Sequence, residues 1–342
     1  MKARHKGLAA GLAALAAASL VAVPAHASKD KPVIALSNAY YGNTWRHQMV
    51  TAFEDTAKKA KADGTIADYI ILNGDGSVAQ QNSQIAELIL KGVDAIAVDA
   101  ASETAVNGVI EKACTAGIKV VSFDSVASAP CNYQLNFDFK GYKQAEAEWV
   151  FNKLGGKGSI IQVRGVKGSA PDNDMYNAQL EALKKFPDIK VATTVYGQAT
   201  ASVAQAAIAN VLPSLPKVDA VIGQGGSDDF GIAQAFDQFG GPYKDKPPII
   251  EGGGSTDFIK WWADKSAAGY TTISMNTTPG IGGAAFYLTL AIIKGAEPPK
   301  LMIMPVATVT QDNLKDYASL PSGMIVSPTY TADWVEKNLL KK

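Results

Sequence analysis

The chain has 342 residues, with 32 Lys and Arg against 32 Asp and Glu, 47% hydrophobic side chains and two cysteines. Balanced charge excludes the basic footprint of a nucleic-acid or anionic-lipid binder, and the length exceeds the roughly 250–300 residues at which one core stops growing, so two domains are expected. Histidine occurs only at His5, His26 and His47, and no H-E-x-x-H, paired-Cys, G-x-x-x-x-G-K-S/T, G-x-S-x-G or complete G-x-G-x-x-G pattern is present, which removes most metal, nucleotide and catalytic-triad chemistry.

Residues 1–27 place Lys2, Arg4, His5 and Lys6 before an apolar run, 7–23, followed after Pro24 by Ala25-His26-Ala27. This is the order of an export signal cut before Ser28. The 17-residue run is rich in Ala and Gly and falls short of the roughly 20 strongly apolar residues of a spanning helix. No Cys stands near the cut, so no lipid anchor is expected, and the product is expected to be free in the periplasm. The remaining chain carries 29 basic against 32 acidic side chains, a formal charge of about −3. In an oxidising compartment Cys114 and Cys131, 17 apart, are expected to form a disulfide worth about 3 kcal/mol; two buried thiols are the alternative.

From Lys31 onward, short β-branched runs alternate with amphipathic stretches. Strands are expected at 33–37, 69–72, 95–98 and 119–123, separated by helices at 43–62, 78–91 and 103–116. After a helix at 142–154 the alternation restarts, with strands at 159–163, 191–196, 220–222 and 249–250 and helices at 173–186, 202–212 and 228–239. Continuously apolar strands such as AIAV and KVVSF are those of parallel sheets covered on both faces. The expected fold is therefore α/β, with two doubly wound parallel-sheet lobes.

Ligands of such sheets lie beyond the carboxyl ends of the strands, where this chain is polar, amide-rich or aromatic. Part of that polarity is helix capping and turn chemistry. Ser37 to Trp45 nevertheless joins an amide, two phenols and an indole directly after the first strand. Sugars need aromatic faces for their C–H surfaces and amides or carboxylates for their hydroxyls. Packing of Tyr40, Tyr41 and Trp45 in a core or lid is the other reading of the same cluster.

With these loops in view, the chain resembles the type I periplasmic solute-binding proteins of ABC importers, the ribose-binding-like group. The resemblance spans residues 31–340 and rests on the order of elements, the first-strand aromatic cluster, KGVDAIAVDAAS (91–102), AGIKVVSFDS (116–125) and VDAVIGQGGSDDFGIAQAF (218–236). It implies two lobes joined by a three-stranded hinge, with crossings near 137–139, 276–278 and 304–307. The implied N-terminal lobe is 28–137 plus 277–305, and the C-terminal lobe 138–276 plus 306–342. Ligand would be captured by hinge closure, and a monomer is the family precedent.

Carried over by position, the resemblance gives Asn38, Tyr40 and Tyr41 as amide and stacking groups and Asp124 as the hydroxyl-binding carboxylate. Ser125 stands where an Arg is usual, Asn173 roughly where another Arg is common, and Asn276 replaces a frequent Gln. The loop Glu251-Gly252-Gly253-Gly254 lacks the usual carboxylate. Trp45, Asn173, Gln224, Asp228 and Asp229 are the candidate replacements, while Arg46 and Arg164, flanking the expected cleft, leave an acidic ligand as an alternative. Neutral groups of this kind suit an uncharged monosaccharide or polyol, delivered to an ABC permease in the inner membrane, with no catalytic residue, cofactor or metal. Two other readings are a ligand-sensing subunit for a chemoreceptor or sensor kinase, and a secreted glycoside hydrolase using Asp99 and Asp124.

Overall fold

The computed structural model describes residues 31–341, so the export signal expected at 1–27 lies outside the described residues. The first half of the chain runs β1 (Val33–Asn38), α1 (Thr44–Ala62), β2 (Asp68–Asn73), α2 (Val78–Lys91), β3 (Ala95–Asp99), α3 (Asn107–Thr115), β4 (Lys119–Phe123) and β5 (Tyr133–Phe137). The alternation then resumes with α4 (Phe139–Lys153), β6 (Lys157–Arg164), α5 (Ala170–Lys185), β7 (Asp188–Tyr196), α6 (Ala201–Val211), β8 (Ala220–Ile222), α7 (Asp228–Phe239), β9 (Ile249–Ile250) and α8 (Thr256–Ser266). The last part is β10 (Ser274–Asn276), α9 (Ile281–Ile293), β11 (Leu301–Met304), β12 (Ala307–Val309), α10 (Leu314–Ala318) and α11 (Ala332–Val335).

These strands form two parallel sheets, ordered β11-β5-β4-β3-β1-β2 and β7-β6-β8-β9, and an antiparallel pair, β10-β12, on the segments that cross between them. The period-2 alternation of side chains in β1 sends Ile34 and Leu36 to one face and Ala35 to the other. The first face packs on α1 and α9, with Phe53 and Phe286 edge to face at 5.4 Å, and the second on α2 and α3. In the second sheet Ile161, Val163 and Val221 face α6, α7 and α8, while Ile160, Ala220 and Ile222 face α4 and α5. Both sheets are therefore three-layered, the α/β two-lobed arrangement expected from the alternation.

Sequence reasoning missed β5, β11 and the β10-β12 pair, which are short and sit where the chain passes between lobes. It also assigned all of 306–342 to the second lobe. The end of that stretch differs: Tyr330, Val335 and Leu339 lie in the same apolar cluster as α1 and α9, and the Tyr330 hydroxyl is 2.9 Å from Thr278 Oγ1. Apolar residues on a short terminal helix have no core of their own, and α9 of the first lobe offers the surface that buries them. The disulfide expected between Cys114 and Cys131 is formed and ties the end of α3 to the β4–β5 connection. Among the described residues no helix is long and apolar enough to cross a membrane.

Candidate functional site

A cavity of about 70 Å³ lies between the two sheets, at the carboxyl ends of their strands. From the first lobe it is lined by Asn43, Trp45, Arg46 and Asp124, and from the second by Gly165, Ser169, Asp172, Gln224 and Gly226. Phe139, Val166, Pro171, Met175, Ala199 and the crossing residue Thr277 complete its apolar and backbone surface.

The first-lobe wall is set by one helix start. Asn43 caps α1 by accepting a hydrogen bond from the Arg46 amide at 2.8 Å, so Trp45 and Arg46 fall in the first turn, beside the strand ends. The Trp45 indole N–H donates to the Thr277 carbonyl at 2.9 Å, joining α1 to the crossing segment. The Arg46 guanidinium contacts the Asp99 carboxylate at the end of β3 and lies 3.1 Å from Asp124 just after β4. Asp124 has a left-handed backbone, φ 55°, which costs a non-glycine residue about 1 kcal/mol or more and turns its side chain off the strand. Burial pushes the Asp124 carboxyl above the usual carboxylate range, with Arg46 opposing, and burial lowers Arg46.

The second-lobe wall is a closed hydrogen-bond set. Gln224 accepts from the Gly165 amide at 2.8 Å and donates to the Asp172 carbonyl at 3.0 Å. The Asp172 carboxylate is held by Arg164 through Nε at 2.9 Å and a terminal nitrogen at 2.7 Å, and Arg164 in turn lies over Tyr176 at 4.2 Å. Behind this wall Lys143 bridges Glu146 at 2.7 Å and Glu251 at 3.1 Å. Glu251 accepts from the Gly223 amide and Glu146 from the Met275 amide on β10, so the buried network ties the cleft loop to a crossing strand. Asp228, at the start of α7, is almost fully buried, with one oxygen unpartnered, and desolvation raises its carboxyl to about 7.

Of the residues singled out from sequence, Trp45, Asp124 and Gln224 line the cavity. Asn38 is buried at the end of β1, where its amide donates to Asn73 at 2.8 Å. Tyr40 bridges Asp75, and Tyr41 is exposed against the ring of His47 at 4.2 Å. The Ser125 hydroxyl is used by the Ala100 carbonyl, and Asn173 sits outside, receiving Arg164 at 3.3 Å. Asn276 donates to the Thr277 and Val326 carbonyls, while Asp228 lies behind the Gly223–Gln224 turn. Among the described residues no group of three His, Cys, Asp or Glu side chains is placed to hold a metal ion.

Sequence reasoning did not single out the cavity-lining residues Asn43, Phe139, Ser169, Asp172 and Thr277, although Asn43, Ser169, Asp172 and Thr277 lie in its polar strand-end loops. Two carried a readable signal: Asn43 and Ser169 each precede a helix at the cap position, which marks the strand-to-helix turn facing the cleft. Arg46, noted only as flanking, supplies a guanidinium for Asp124 although the neighbouring position is Ser125.

Known proteins fit this geometry. A family model described as a periplasmic binding protein domain matches residues 34–297. The chain is 26% identical to a xylitol-binding protein of Mycolicibacterium smegmatis over 75% of this chain and 71% of that one. It is 29% identical to the multiple sugar-binding periplasmic receptor ChvE of Rhizobium radiobacter over 57% of this chain and 60% of that one. Among solved structures, an ABC transporter solute binding protein from Thermobispora bispora superposes with a TM-score of 0.84 and 36% identity, covering 90% of this chain and 94% of the other. Two parallel-sheet lobes around a shared polar cavity, matched by a family model over most of the described chain, establish that this chain belongs to the periplasmic binding protein domain family.

Proposed function

We propose that this protein is the exported substrate-binding component of an ABC importer, which captures a small polyhydroxylated solute, a monosaccharide or polyol, between its lobes. The carrying observation is one cavity whose walls come from both lobes, Asp124 and Trp45 on one side and the Gln224 loop on the other. A solute touching both walls stabilises the closed arrangement by its differential affinity, and β5–α4, β10 and β11–β12 are the segments about which closure occurs. Residues 1–27 act as the cleaved export signal, the mature chain works as a monomer, and an inner-membrane permease receives the solute. The lobes comprise 28–137 plus 277–305 and 138–276 plus 306 onward, with the terminal helix returned to the first. The names of the xylitol-binding and sugar-binding relatives support this solute class.

A glycoside hydrolase built on Asp99 and Asp124 is disfavoured by the geometry, since both carboxylates engage Arg46 and neither is left as a free proton donor. The test is a thermal-shift screen of the mature chain against pentoses, hexoses, deoxysugars and polyols. A solute at 100 times its dissociation constant adds about 2.7 kcal/mol of stability, so a hit is a distinct upward shift. Silence across the panel refutes the reading.

A further inference from the structure

The charges around the cavity do not balance. On the first-lobe wall one cation, Arg46, faces two carboxylates, Asp99 and Asp124, and both carboxylates are more than nine-tenths buried. The second-lobe wall is neutral, because Arg164 and Asp172 are paired. Behind it Lys143 is held between Glu146 and Glu251, so no spare cation reaches the cavity from that side. A buried carboxylate charge without a full partner is costly, and whatever enters the cavity beside Asp124 is selected by that cost. A second feature favours a cation: the rings of Trp45 and Phe139 line the same space, and aromatic faces attract ammonium groups as well as sugar C–H surfaces.

Building on the proposed solute class, we infer that the cleft prefers an amine-bearing sugar or polyol, its ammonium placed against Asp124, over the neutral parent, and rejects the corresponding sugar acid. A ligand ammonium supplies the missing positive charge, whereas a ligand carboxylate meets Asp124 as a like charge. Neutral hydroxyls donate to Asp124 without changing the charge count.

The experiment is calorimetric titration of the mature protein at neutral pH with two matched sets: xylitol, 1-amino-1-deoxyxylitol and xylonate, and D-glucose, D-glucosamine and D-gluconate. The aminated member of at least one set is expected to bind tenfold or more tighter than its neutral parent, with the acid the weakest. In Asp99→Asn the gap is expected to close, because Asp99 does not line the cavity and acts there through charge alone. Asp124→Asn is read alongside, in case the first variant fails to fold. A neutral parent that binds as tightly as its amine overturns the inference and leaves the solute class standing. Absence of binding by both amines overturns it too, and a preference surviving intact in the folded variants does the same. Failure of the wider neutral panel is the separate result that sinks the function.

Discussion

Asp228→Asn gives the sharpest prediction about stability. Asp228 is almost wholly buried, one carboxylate oxygen has no partner and the other accepts from the Gln224 amide at a long 3.4 Å. Desolvation raises its carboxyl from 3.8 to about 7, against weaker opposing help from Lys143 and the backbone. A group whose pKa is higher in the folded state contributes stability that is fully present below pH 3.8 and is lost as pH rises through about 7. A rise of about three pH units corresponds to about 4 kcal/mol, so by pH 8 ionised Asp228 costs the native state an amount of that order. Asparagine keeps an oxygen for the Gln224 amide and removes the charge. Asp228 also raises its neighbour Asp229, so the variant relieves both. Urea unfolding at pH 5 and pH 8 reads the effect: the variant's stability relative to the wild type is expected to rise by about 2–3 kcal/mol between the two, because the wild type goes on losing stability until pH passes about 7 and the variant shows a shallower loss. Equal pH slopes in the two proteins would refute the burial argument.

Two further outcomes follow from packing and covalent constraint. At the crossing of α1 and α9, Gly282 lies against the Met49 carbonyl so closely that a Cβ has no room; Gly282→Ala is expected to cost about 1–3 kcal/mol, read as a lower unfolding midpoint, and an unchanged midpoint would show that the helices separate freely. Replacing Cys114 and Cys131 with serine removes a 17-residue cross-link and is expected to cost about 3 kcal/mol in denaturant unfolding, with a loss below 1 kcal/mol contradicting it.

What the sequence by itself determined is the part governed by local periodicity. Continuous apolar runs such as 95–98 and 119–123, spaced by amphipathic stretches, specify parallel strands covered on both faces, because each element's pattern matches its own period and needs no distant partner to be read. The same reading located the polar strand ends, and with them Trp45, Asp124 and Gln224. The tertiary structure decided which polar groups remain for a ligand. Asn38, Ser125 and Asn276 are bonded to groups of their own lobe or crossing segments, and those bonds follow from sheet register and loop approach that composition does not encode. Likewise Arg46 reaches Asp99 and Asp124 only because β1, β3 and β4 lie side by side and α1 starts beside their ends. The charge partner of a buried carboxylate is chosen by three-dimensional proximity, and for Asp124 that partner comes from the first helix instead of the next residue.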